Sequence, residues 1–432
     1  MLIRWLTFSI LFLATINICK SQIVSEYIDF QIHPTMHFQF SFFGKGLEFF
    51  DESKPPKFSY KHLLKNVNYA NFFKNNKGTR IFVIGAMNSE WARNPAKARR
   101  NIVKQLDYVN KFVADNPNDF VIAKTPQEVR DYVKNTTKTI FVYSIEGGQK
   151  LIKNQEDANF WASKGISFIT LVHIRDSEYG GAAILPMFAT KLINLKAKKK
   201  IKKKGLTDLG KQTIIWLANA GILTDITHMN DKTRRGALQL MDEHKLPPIS
   251  THDGFKPIQN HSRALSEDDI YKVYKNNGFI SLPISGYSCQ PYKPNLYYQN
   301  VIDSLNLYCA NSVDTYLFTY LSVKNYIENK ANLGYNDTLS ETQKVNYCIG
   351  FQSDFNGWLN HSRPRVGKNG CFPINSTETY EEIELKGMPH PGLLDSQWRY
   401  FIKKGADVEP IKKSAEKFLQ LWQFVIDNKG NF

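Results

Sequence analysis

Cysteine is scarce in this chain, and none of it has zinc-finger spacing. Of the five cysteines, Cys19 falls in an N-terminal stretch expected to be removed, which leaves Cys289, Cys309, Cys348 and Cys371. Four thiols permit two disulfides in an oxidising compartment, in any of three pairings. They do not make a thiolate metal site, so a metal here would be held by histidine and carboxylate. Apolar runs long enough to cross a membrane are also missing. The run from Trp5 to Ile18 is short for a span. With Arg4 before it and a short polar exit after it, it has the layout of a secretory leader over residues 1–21, with Gln22 first after cleavage. The expected location is therefore secreted, periplasmic or at the cell surface. There is no long repetitive tract, and aromatics are plentiful, so residues 22–432 are expected to form one globular domain.

Acidic residues are outnumbered, 40 against 56 Lys and Arg, for a formal net charge of +16. Much of the excess is local: "KAKKKIKKK", Lys196 to Lys204, holds seven lysines. Such a block repels itself and reads as a solvated loop, with contact to an anionic surface as the functional alternative. No aromatics are interleaved with these lysines, which argues against nucleic acid.

What the chain does have is a series of apolar, β-branched runs that end in polar chemistry. "YIDFQIH" ends at His33, and "TIFVYSIEGG" delivers Glu146. "ISFITLVH" ends at His173, "ILTDITH" at His228, and "PPISTHDGF" delivers His252. "VNYCIGFQSDFNG" delivers Asp354. "TRIFVIGAM", "FVIAKT" and "GFISLPIS" complete nine candidates. Helical patterns lie between them, such as "TPQEVRDYVKN" with Thr125 as N-cap and Glu128 completing a capping box. "TDLGKQTIIWLANAG" and "SEDDIYKVYKNNG" start at Thr207 and Ser266. Alternating strands and helices predict βαβ units and a parallel sheet, here an α/β barrel of the TIM type. A barrel needs eight strands, so one of the nine is either peripheral or not a strand. In such a barrel the strand C-termini converge on one face. Five ionisable residues there (Glu146, His173, His228, His252 and Asp354) would each incur a desolvation cost unless paired or metal-bound. Asp225, on the same strand as His228, reads as a buried hydrogen-bonding residue, because neighbouring strand side chains alternate in direction.

The motifs "SIEGG", "TLVHIRDSEYGGAA", "GLTDLG", "ILTDITHMND", "PPISTHDG", "HSRALSEDD" and "GFQSDFNG" occur in this order. Together they resemble the membrane (renal-type) dipeptidases, metallopeptidases of the amidohydrolase superfamily, from about Asp29 to Gly392. The resemblance implies a (β/α)8 barrel with two zinc ions at its mouth and hydrolysis of a dipeptide or small amide by metal-activated water. It implies that Glu146 bridges the metals and that His228 and His252 complete one shell. His173 would meet the substrate carbonyl, Arg263 its terminal carboxylate, and Asp354 the proton of the attacking water. A homodimer is compatible with it.

One segment departs from the family. Where the family's first strand ends in His-x-Asp, this chain has Gln31 and His33, with His37 close by as a substitute. Gln is a weak zinc ligand, and His33 replaces an anion. The expectation is therefore one zinc bound tightly at Glu146, His228 and His252, and a second bound weakly or not at all near Gln31, His33 or His37. Two rival readings follow: an amidohydrolase acting on a lactone or non-peptide amide, and a degenerate member that binds peptide-like ligands without turnover.

Overall fold

The computed structural model describes residues 24, 26–35, 67–183, 204–259, 261–284, 301, 303, 305–329, 347–355, 357 and 362–432. The leader, His37, Cys289, His361 and the lysine block up to Lys203 lie outside the described residues.

All nine strand candidates form strands: β1 (Tyr27–Ile32), β2 (Thr79–Met87), β3 (Phe120–Ala123), β4 (Thr139–Glu146), β5 (Ile166–Thr170), β6 (Leu223–Asp225), β7 (Ile249–Ser250), β8 (Phe279–Pro283) and β9 (Ile349–Gln352). Every pairing is parallel, and eight strands close a ring through β9 and β1. The peripheral strand is β3. It pairs only with the first half of β4, while β2 runs along the whole of β4 and so bypasses it. The fold is a closed (β/α)8 barrel.

The helices follow their sequence signals. Helix α1 (Val67–Asn75) precedes β2. Helix α2 (Pro95–Asp115) buries Ala98, Ile102, Leu106, Val109 and Phe112, so its basic amphipathic sequence serves to pack on the barrel. Helix α3 (Pro126–Asn135) has Thr125 as its cap, but Glu128 reaches the Lys124 N–H rather than that of Thr125. Helix α4 is Gln155–Ser163. Helix α5 (Asp208–Ala220) runs from Thr207 to Gly221 as read, and α6 is Asp231–Glu243. Helix α7 (Glu267–Lys275) has a full capping box between Ser266 and Asp269. Helices α8 (Val313–Glu328), α9 (Glu382–Lys386), α10 (Leu394–Lys403) and α11 (Glu409–Asp427) are the remaining α-helices among the described residues.

Inward side chains of the lower barrel, among them Ile28, Phe30, Val83, Val142, Phe168, Leu223 and Phe279, cluster with Phe418, Leu419 and Trp422 of α11. The C-terminal helix thus packs against one end of the barrel interior. Cys309 and Cys371 form a disulfide, and Cys348 is a buried free thiol. Among the described residues no helix is long and apolar enough to cross a membrane.

Candidate metal centre

At the other end of the ring the strands deliver polar groups. Glu146 is the last residue of β4, and His228 and His252 follow β6 and β7. His228 Nε2, His252 Nε2 and Glu146 Oε1 form a triangle with sides of 3.0, 2.9 and 2.9 Å. All three residues are at least 97 % buried. Two imidazole nitrogens this close leave room for one proton between them, whereas a cation satisfies both lone pairs and the carboxylate together. Among the described residues these three are the set of ligand atoms lying within 4.8 Å of one another. Two nitrogens and one carboxylate oxygen are a donor set that zinc accepts, with a position left open.

The protonation states suit a metal. Burial, helped by Arg263 and His173, holds the His228 pKa well below its ordinary value, so its ring is neutral and its lone pair available. Burial alone would raise the Glu146 carboxyl. The charges of His173 and His33 outweigh that and hold it well below the usual range. The His252 tautomer is set from behind. Thr251 Oγ1 donates to Asp225 Oδ2 at 2.6 Å and faces His252 Nδ1 at 2.8 Å, which places the imidazole proton on Nδ1 and turns Nε2 to the centre. Asp225 also accepts from Thr170 and Thr227, so it is the buried hydrogen-bonding residue the strand alternation indicated. Its link through Thr251 to His252 was not visible in sequence.

The opposite side of Glu146 differs. His33 Nε2 lies 3.1 Å from Glu146 Oε2 and 3.1 Å from Asp354 Oδ1, and its Nδ1 is 2.9 Å from the Gly85 carbonyl. Burial would lower the His33 pKa, but the Glu146 and Asp354 carboxylates overcome it and hold it up at about 10. The Gln31 amide sits 3.3 Å from the same Nε2. The seat depends on Gly85: a Cβ there would collide with Gln31 and come within 2.8 Å of His33 Cε1. Asp354 and His228 hold left-handed backbone at φ 51° and 68°, a strain of the kind that clusters at functional sites.

His173, after β5, pairs through Nδ1 with the Glu90 carboxylate, and its Nε2 lies 3.7 Å from Glu146 Oε1. Sequence reading missed Glu90. The only signal for it was an acid three residues beyond the strand "TRIFVIGAM". Arg263 is buried beside the centre. Its Nε donates to Asp253 Oδ1 at 3.1 Å and one Nη to the His252 carbonyl at 2.8 Å, so one edge of its fork is already occupied by the protein. His390 stacks on Phe72 with centroids 3.7 Å apart, a packing role away from the mouth.

The family model of the membrane dipeptidases (peptidase family M19) matches residues 22–313, more than half of the chain. This chain belongs to that family. An uncharacterized dipeptidase of Schizosaccharomyces pombe is 21 % identical over 188 residues, 44 % of this chain and 42 % of that protein. The matched region spans less than half the length of that relative. Two solved structures share the fold. The probable dipeptidase PvdM of Pseudomonas aeruginosa has a TM-score of 0.59 at 14 % identity, covering 94 % of this chain and 96 % of that one. A metallo peptidase of Rhodobacter sphaeroides liganded with a phosphinate mimic of the dipeptide L-Ala-D-Ala has a TM-score of 0.58 at 12 % identity, covering 93 % and 99 %.

Proposed function

We propose that this M19 member is a secreted zinc-dependent dipeptidase. The observation that supports this most directly is the convergence of Glu146, His228 and His252 on one point at the barrel mouth. These residues would hold the ion. When bound, it supplies Lewis acidity and a nucleophile at neutral pH. The chain's own groups do the rest. Asp354, fixed between Gly357 and His33, is placed to take a proton from the attacking water: a Cβ at Gly357 would run into its carboxylate. His173 is placed to donate a hydrogen bond to the developing oxyanion. Arg263, with Nε and one Nη committed to Asp253 and the His252 carbonyl, offers its remaining Nη to the free carboxylate of a dipeptide. Secretion is supported by the leader-like N-terminus and by the Cys309–Cys371 disulfide.

The test is direct. Purified protein should release amino acids from L-Ala-D-Ala and similar dipeptides, lose that activity to a chelator, and regain it with zinc. Retention of metal with no turnover of any dipeptide would favour the non-catalytic reading instead.

A further inference from the structure

We propose that Glu90 is the positioning residue of His173, holding its imidazole by Nδ1 so that Nε2 stays aimed at the reacting centre. The proposal rests on the hydrolase reading for its purpose, but its geometry is independent of that reading. The Glu90 side chain is 2 % exposed. A buried carboxylate carries a desolvation cost that an apolar residue of the same size would avoid. Among the described residues its side-chain partner is His173 Nδ1, so the cost is offset at that one contact. The other face of the ring is equally constrained. His173 meets His228 edge-on, with centroids 4.4 Å apart and planes at 72°, and its Nε2 looks toward Glu146.

The loop that carries Glu90 is tied to the loop that follows Glu146. The Asn88 N–H donates to the Glu146 carbonyl at 3.0 Å, and Asn88 Nδ2 to the Gln149 carbonyl at 2.7 Å. Gln149 Nε2 returns to the Ser89 carbonyl at 2.9 Å. Glu90 is therefore fixed relative to the metal ligand itself, and through it so is His173. A carboxylate on the far nitrogen of an imidazole keeps a proton there, fixes the ring's orientation and stabilises the imidazolium, the state that also donates from the near nitrogen. A pair needed only to fill space would not require this registration on Glu146.

The experiment compares wild type, Glu90→Gln, Glu90→Asp and His173→Asn, each with its metal content measured. In wild type, proton NMR should show a strongly deshielded imidazole N–H that disappears in His173→Asn. Glu90→Gln should keep its metal and lose that resonance. Its kcat on L-Ala-D-Ala should fall on the order of 100-fold with little change in KM, the scale of a misplaced oxyanion donor. Glu90→Asp should recover part of kcat and show a shifted resonance. Persistence of the resonance in Glu90→Gln, or kcat within about twofold of wild type, would overturn the proposal. If Glu90→Gln does not fold, Glu90→Asp decides: an unmoved resonance overturns it and a shifted one supports it. If wild type holds metal and cleaves no dipeptide, the hydrolase reading has failed, and the resonance still judges Glu90.

Discussion

Along β4 the inward side chains run Ile140, Val142, Ser144, Glu146, and the step from Val142 to Ser144 divides the barrel interior in two. Below it, Ile140 and Val142 join Ile81, Val83, Phe168, Leu223, Ile249 and Phe279 against Phe418 and Trp422. Above it, Ser144, Thr170, Asp225 and Thr251 lead up to the histidines and carboxylates, and all of these are buried. The lower half is held by area removed from water, about 25 cal/mol per Å² of apolar surface. Most polar atoms of the upper half bond one another, so removing one leaves its partner orphaned. The same strands thus carry stability at one end and chemistry at the other, and damage at either end should leave a different signature.

The largest expected effect is at the upper end. His252→Ala should abolish tight metal binding and lower turnover by about 1,000-fold or more, roughly 4 kcal/mol of barrier. It should move the thermal midpoint less than a change at the lower end does. Metal analysis, kinetics and a melting curve together check this. Next comes the lower end. Trp422→Ala should cost about 3–5 kcal/mol of stability, the usual range for a deleted core tryptophan, with the metal content of the surviving folded protein unchanged. Loss of metal from folded Trp422→Ala would show that the two halves are coupled.

These two ends were not equally legible in sequence. The apolar runs disclosed the strands because buried parallel strands are apolar throughout, though they could not tell a peripheral ninth strand from a false one. The place of α11 was not legible: nothing in "SAEKFLQLWQFVI" distinguishes a helix that packs on the barrel end from one that packs on its side. At the mouth, residues at strand ends were visible because position in the run encodes position in the barrel. Asp354, His173, His228 and His252 were read in this way. Glu90 and the Asp225–Thr251–His252 relay were not, since the contacts span 83 and 26 residues and follow from loop geometry. The resemblance implied that Arg263 would bind the substrate carboxylate, but its partner Asp253, ten residues away, could not be read from spacing alone.

That partner changes how Arg263 should be tested. Arg263→Ala would leave Asp253 buried without its cation, a cost of about 3–5 kcal/mol to the fold. Arg263→Lys keeps a positive charge near Asp253 and removes the fork. It should weaken cleavage of a dipeptide with a free carboxylate by about 2 kcal/mol, and cleavage of the C-terminally amidated analogue by much less. Equal losses on both substrates would remove Arg263 from recognition and leave it as support for Asp253.

The smallest expected effect lies within the upper half, between the two oxygens of Glu146. Oε1 faces His252 Nε2 and the neutral ring of His228. Oε2 faces His33, which sits between two carboxylates and is held cationic up to about pH 10. A second dication on that side would have to displace the His33 proton and share Glu146 with the first ion, at a separation of about 3.5–4 Å. One ion should therefore be retained per chain, and His33→Gln should leave that count unchanged. The charge on His33 should instead appear in the metal-stripped protein. Its folded pKa, about 10, lies above the ordinary 6.5, so its contribution to stability is full below pH 6.5 and is lost as pH rises toward 10. Metal-stripped wild type should lose stability across that window, and His33→Gln should lose less, since the raised pKa of His173 still contributes. Two ions retained by wild type after gel filtration, falling to one in His33→Gln, would show that His33 is a ligand and that both sides of Glu146 bind metal.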